Sequence, residues 1–202
     1  MTSSGGVWPA LLVLGAVMTA ACATAPAPIP GTALVRLETA MGKIDMEVEV
    51  DRAPVTAANF LLCVEEGRYD GGRFHRTVRP DTEVRKDVPI EVIQAGPAPA
   101  WEGRDVSPIA LERTNVTGLR HVDGAVSMAR SGPDTATTDF FVCVGPQPSL
   151  DFGGSRNPDG QGFAVFGRVI RGADIVRRIQ AAPSEGQTLA PPVAILSARR
   201  VR

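Results

Sequence analysis

The sequence predicts a mainly β protein whose antiparallel strands close into a barrel capped by two α-helices, and three observations carry that reading. Glycine and proline are frequent, 21 and 17 of 202 residues, so turns recur along the chain. Most apolar segments are short and several alternate with polar residues at period two, the spacing of a half-buried strand. Only two segments carry helical spacing. A sheet of many antiparallel strands with little helix to cover it loses its exposed edges by closing on itself.

Taken in order, residues 10–21, "ALLVLGAVMTAA", form an apolar run shorter than the roughly 20 residues a spanning helix needs. They read as the core of a signal peptide, to be set apart from the fold. Cys22 follows two alanines, as in a lipoprotein box whose thiol is acylated, and the Ala/Pro-rich stretch 23–32 reads as a tether. The expected domains are therefore 1–22 signal peptide, 23–32 linker and 33–202 folded domain. An exported, periplasmic protein is expected, held at a membrane if Cys22 carries lipid.

From Ala33 onward, Ile44, Met46, Val48 and Val50 alternate with Asp45, Glu47 and Glu49, which predicts a hairpin turning at residues 40–42. Pro54 and Thr56 open a helix that Gly67 ends, with Phe60, Leu61 and Val64 on one stripe. Strands follow at "GGRFHRTV", "IEVIQAG", "GAVSMAR", "DFFVCVG" and "FAVFGRVI". "ADIVRRIQ" after Gly172 is the second helix, and "PPVAILSARRVR" is a closing strand. No repeat or second-domain boundary interrupts the pattern.

Several function classes fall away. A net charge of −1 provides no basic field for nucleic acid. Cys63 and Cys143 stand in apolar settings with no Cys/His spacing for a metal, so both read as small buried hydrophobes. The sequence has no G-x-S-x-G, no H-E-x-x-H and no phosphate-binding glycine loop. Cys63 with His75 makes a poor nucleophile–base pair, because nothing near Cys63 lowers its pKa. His121, in "GLRHVDG", reads as a turn or surface residue.

Four spaced blocks, "FHRTV", "VIQAG", "GAVSMARSGPDTATTDFFVCVG" and "FAVFGRVIRGADIV", are similar in order and spacing to the cyclophilin-type peptidyl-prolyl cis-trans isomerases. "GLRHVDGAVSMAR" and "PPVAILSA" look most like the exported bacterial branch. The resemblance implies an eight-stranded antiparallel barrel with two capping helices, an outer pocket for the proline of an extended or unfolded polypeptide, and no metal or cofactor. It implies Arg76 as the catalytic cation and Gln94 as its partner or the holder of a substrate carbonyl. Phe141 would floor the proline pocket, Leu150 and Phe163 would wall it, and Ala129 would offer a backbone contact. Val92, Arg130 and Asp139 complete the expected binding set.

The chemistry is consistent with that set. Rotation about an Xaa-Pro amide takes tens to hundreds of seconds because it breaks conjugation between nitrogen and carbonyl. A donor aimed at the nitrogen lone pair, which becomes basic only as the bond twists, favours the transition state over the planar ground state. Strand alternation puts Phe74 and Arg76 on one face and His75 on the other. By the same argument only one of Phe140 and Phe141 faces the pocket.

Several positions depart from the family pattern. Ser149 stands where many members have Trp, Phe163 where many have His, Glu91 and Val92 where Phe and Met are usual, Arg130 for Asn and Asp139 for Gln. The rim is thus expected to be more charged, with Asp139 pairing to Arg130 or Arg76. Residues 79–89, "RPDTEVRKDVP", make a longer link than usual. The default expectation is a solvated insertion, the alternative a selector of residues flanking proline. For the whole protein the leading expectation is a monomeric prolyl isomerase; the alternative is a non-catalytic peptide-binding or chaperone module on the same barrel.

Overall fold

The computed structural model describes residues 1–2, 30–104 and 106–201. The signal peptide, Cys22 and most of the tether expected from the sequence lie outside those residues. Among the described residues no helix is long and apolar enough to cross a membrane.

The predicted hairpin is β1 (Thr32–Thr39) and β2 (Gly42–Glu49), paired from Thr32↔Glu49 to Thr39↔Gly42. Then come α1 (Pro54–Glu65), β3 (Arg73–Val78), β4 (Val92–Gly96), the four-residue α2 (Thr114–Thr117), β5 (Ala125–Met128) and β6 (Phe140–Cys143). β7 (Val165–Arg171), α3 (Ala173–Gln180), β8 (Ser184–Glu185) and β9 (Thr188–Val201) complete the chain. The order β1-β2-β7-β5-β6-β4-β3-β9, with β9 paired back to β1, closes an eight-stranded antiparallel barrel; the two-residue β8 hangs on β9. α2 and β8 are absent from the sequence reading because four and two residues are too few to show a period.

The barrel is filled from both sides of the sequence. Phe60 and Tyr69 meet Phe74, Phe140 and Phe166 in an aromatic cluster with centroids 4.9–6.2 Å apart, all fully buried. The Tyr69 hydroxyl donates to the Thr138 carbonyl at 2.7 Å, satisfying the one polar atom that cluster brings inside. α1 has no cap of its own. Glu112 supplies one from across the fold, accepting from the Val55 and Thr56 amides at 3.1 and 2.7 Å and from the Thr56 hydroxyl at 2.6 Å. α3 closes the other end on Ile175, Val176 and Ile179. Gly172 before it has φ +85° and lies so near β2 that a Cβ would stand 2.3 Å from the Lys43 carbonyl oxygen. Cys63 and Cys143 are buried free thiols, and burial raises the pKa of both.

One local irregularity corrects the alternation argument. β3 pairs Phe74 with Ala95 and Arg76 with Gln94, so His75 is an extra residue against β4; on the other side Phe74 pairs with Val193 and Arg76 with Thr188, where the surplus residues belong to β9. Such a bulge breaks the two-residue period. Phe74 enters the core, while His75 and Arg76 both reach the outer surface. Phe74 and Arg76 therefore do not share a face.

The 79–89 segment is exposed over much of its length, as a solvated insertion would be, but it is anchored. Its centre is Glu83, 2% exposed, whose carboxylate accepts from the Arg85 and Ile90 amides at 2.7 and 3.2 Å and from Arg156 at 2.9 Å. Burial pushes that carboxyl pKa up, but the two amides and Arg156 outweigh burial and hold it below its ordinary value. Arg156 also donates to the Val88 carbonyl, and Arg85 to the Arg156 carbonyl, so the loop is fastened at several points.

Candidate active site

A hollow of about 210 Å³ opens on the outer face of the barrel. Pairing of β3 with β4 and of β4 with β6 brings Arg76, Gln94 and Phe141 side by side, since Arg76 opposes Gln94 and Gln94 opposes Phe141. Val92 on β4, and Ala129 and Arg130 just beyond β5, line the same space. The turn at 148–150 contributes Leu150, and Phe163 enters from the approach to β7. Phe140, next to Phe141 in β6, is in the aromatic cluster inside the barrel.

The interior of the hollow is apolar. The Phe141 and Phe163 rings meet edge to face, 5.3 Å between centroids at 87°, and Leu150 is 1% exposed. Ile90, absent from the sequence reading, also lines it, where Glu91 was expected to stand at the rim. Glu91 instead accepts from the Gln180 amide at 3.1 Å. Ser149 does not line the hollow.

Arg76 lines the same hollow. Its Nη1 donates to Gln94 Oε1 at 3.0 Å, while its Nε and Nη2 donate to Gln187 Oε1 at 3.0 and 2.7 Å. Its pKa is below the ordinary arginine value through burial first and the Arg156 cation second, with Glu83 opposing. Gln94 passes the arrangement on, its Nε2 donating to Asp139 Oδ2 at 3.2 Å.

Two predicted pairings are corrected. Asp139 pairs with neither Arg130 nor Arg76; it takes the Gln94 hydrogen bond and lies 3.7 Å from His75 Nε2. It lines a neighbouring hollow of about 520 Å³ and not the apolar one. Arg130 is held by Asp159 through two bonds of 2.8 and 3.0 Å and by the Gly162 carbonyl at 2.8 Å, with its guanidinium 5.1 Å from the Phe163 ring centre. Two side chains that were expected to charge the rim are thus tied down by local partners.

His121 is a further residue the sequence misplaced. It is 2% exposed, lies behind the hollow, and stacks on Phe141 at 5.9 Å and 9°. Its Nδ1 is 2.7 Å from Asp151 Oδ1 and its Nε2 is 3.1 Å from Ser127 Oγ. An ionised Asp151 can only accept, so Nδ1 carries the proton and Nε2 accepts from the serine hydroxyl. Burial pulls the imidazole pKa down against the raising influence of Asp151. The turn residues around His121 gave no sign of this; the partner, Asp151, is thirty residues away.

Residues 34–200 match the family described as "Cyclophilin type peptidyl-prolyl cis-trans isomerase/CLD". The chain belongs to the cyclophilin-type peptidyl-prolyl cis-trans isomerases. A peptidyl-prolyl cis-trans isomerase of Streptomyces antibioticus is 37% identical over 82% of this chain and 96% of its own length. One from Acinetobacter baylyi is 34% identical over 86% of this chain and 82% of its own. The fold is shared with the crystal structure of a cyclophilin type isomerase of Cryptosporidium parvum, at a TM-score of 0.68 and 21% identity, covering 85% of this chain and 98% of that one. Another crystal structure of the Cryptosporidium isomerase was determined in the presence of the dipeptide Ala-Pro.

Proposed function

We propose that this isomerase turns over Xaa-Pro bonds in the apolar hollow, with Arg76 as the catalytic residue. The observation that carries the reading is a guanidinium held by two neutral amides at the edge of a hollow walled by Phe141, Phe163 and Leu150. A pyrrolidine ring fills such a hollow by apolar burial, and an Arg76 N–H then stands over the proline nitrogen. As the amide twists, its lone pair leaves conjugation and accepts that hydrogen bond, which the planar ground state cannot do well.

The magnitudes say what else is required. Bringing an event of about 100 s down to milliseconds takes about five decades, on the order of 7 kcal/mol. One hydrogen bond from a charged donor supplies about 1.5–3 kcal/mol. The remainder falls to the water-poor walls and to binding of a twisted substrate. Gln94 keeps the guanidinium in place, and Ala129, whose N–H already donates to the Asp139 carbonyl at 2.9 Å, is left with its C=O to meet the peptide.

The substrates in this reading are extended or unfolded proline-containing polypeptides, met outside the cytoplasm by a monomer. What supports export is the apolar run 10–21, followed by Cys22 and an Ala/Pro-rich stretch. A lipid on Cys22 would hold the barrel at a membrane surface. Detergent-phase partitioning of the wild type, lost in Cys22→Ser, tests the anchor. Cis-to-trans conversion of a prolyl test peptide tests the activity: acceleration by the wild type and its loss in Arg76→Ala are expected. Equal rates for the two proteins would overturn the assignment of Arg76, and peptide binding without acceleration would leave a non-catalytic peptide-binding module.

A further inference from the structure

We propose that Gln187 is a positioning residue of the isomerase, holding the Arg76 guanidinium side-on and tying it to the loop built on Glu83. The inference rests on Arg76 being the catalytic cation and deepens that reading.

Gln187 lies in the two-residue turn between β8 and β9, where Glu185 pairs with Thr188. Its backbone carbonyl accepts from the Thr77 amide at 2.9 Å, which locks the residue beside β3 next to Arg76. Its side chain is satisfied at both ends: Oε1 takes Nε and Nη2 of Arg76, and Nε2 donates to the Thr82 carbonyl at 3.2 Å. The orientation of the amide is forced, because turning it over would set its NH₂ against the guanidinium and its oxygen against a carbonyl.

The consequence is geometric. A guanidinium carries five N–H donors. Gln187 occupies one on Nε and one on Nη2, Gln94 occupies one on Nη1, and each terminal nitrogen keeps one N–H for the hollow. A flexible side chain with several rotatable bonds is thereby held in one pose before substrate arrives, which is how positioning lowers a barrier. Neutral acceptors matter here. A carboxylate at 187 would hold the same edge but would cancel the charge that the twisting nitrogen needs. Thr82 belongs to the segment fastened by Glu83, so the extended link after β3 is one support of the catalytic side chain.

The test is steady-state prolyl isomerisation by wild type, Gln187→Ala, Gln187→Glu, Arg76→Ala and the Arg76→Ala/Gln187→Ala double variant, with thermal melts of each. Gln187→Ala is expected to lose about ten- to a hundredfold in kcat with KM nearly unchanged. Gln187→Glu is expected to lose activity too, although it restores an acceptor. In the Arg76→Ala background the second substitution should have no further effect. A Gln187→Ala enzyme with wild-type kcat, or one whose loss is undiminished without Arg76, would overturn the proposal while leaving Arg76 in place. Unchanged activity in Arg76→Ala would instead overturn the parent reading.

Discussion

Two hollows lie side by side on the outer face of the barrel, and Gln94 and Asp139 form the boundary between them. The larger, about 520 Å³, is a charged space: Arg73 pairs with Glu102 at 2.6 Å, Asp139 faces His75, and Arg104 lies over the Trp101 ring at 5.1 Å. The smaller, about 210 Å³, sets one uncompensated guanidinium against phenyl rings. Volume alone therefore does not point to the proposed reaction site. A cation already neutralised by a carboxylate has little to offer a developing lone pair, whereas one held by amides keeps its field directed into a poorly solvated space.

The sharpest way to break that comparison is to remove one arginine from each hollow. Arg76→Ala should lower kcat/KM by about 10²–10³-fold, the usual scale for deleting a donor to a developing charge. Arg73→Ala should stay within about twofold, its ion pair being largely exposed. Comparable losses in the two variants would erase the distinction.

The next effect concerns the walls. Phe141 is 5% exposed and touches both Phe163 and His121, so Phe141→Ala should destabilise the fold by about 3 kcal/mol, read as a lower urea midpoint at constant m-value. KM should rise with it, because the floor of the hollow is gone.

Smaller again is the loop that supports the charged edge. Glu83→Gln removes the charge that Arg156 and two amides hold, and should cost about 1–3 kcal/mol at neutral pH. The folded pKa of Glu83 is depressed, so its contribution is present above the ordinary value of 4.5 and is lost as pH falls through the folded value. The wild type and the variant should accordingly converge in stability in acid.

The smallest effect lies behind the apolar wall. The His121 pKa is lowered on folding, so the proton binds the unfolded chain better. The contribution is complete above the ordinary value of 6.5 and declines as pH falls below it. Thermal melts from pH 7.5 to 5 should show this decline, and it should vanish in His121→Gln. A Tm that rises as pH drops through that window would contradict the buried, neutral imidazole.

Much of the fold was legible because it rests on short-range signals. Alternation from Ile44 to Val50, Pro54 opening α1, and the paired phenylalanines of β6 each follow from local geometry. The hollow was legible for a different reason: its residues stand in blocks with a recognisable order, and the structure brings Arg76, Gln94, Phe141, Leu150 and Phe163 together while leaving Asp139 outside. The bulge at His75 could not be read, because "RFHRTV" carries no glycine or proline to mark it and it is set by the register against β4. Glu83 and His121 were misjudged alike. A charged or polar residue in a turn-rich stretch reads as solvated until a distant partner, Arg156 or Asp151, is seen to cover it.

The amino-acid order by itself determined which segments extend, which coil, and which side chains are available for chemistry, because dihedral preference and burial period act over a few residues. Tertiary structure alone decided which charges are cancelled and which are kept. Coulomb and hydrogen-bond energies depend on distances between groups that lie far apart along the chain, such as Arg76 and Gln187, Arg156 and Glu83, or His121 and Asp151.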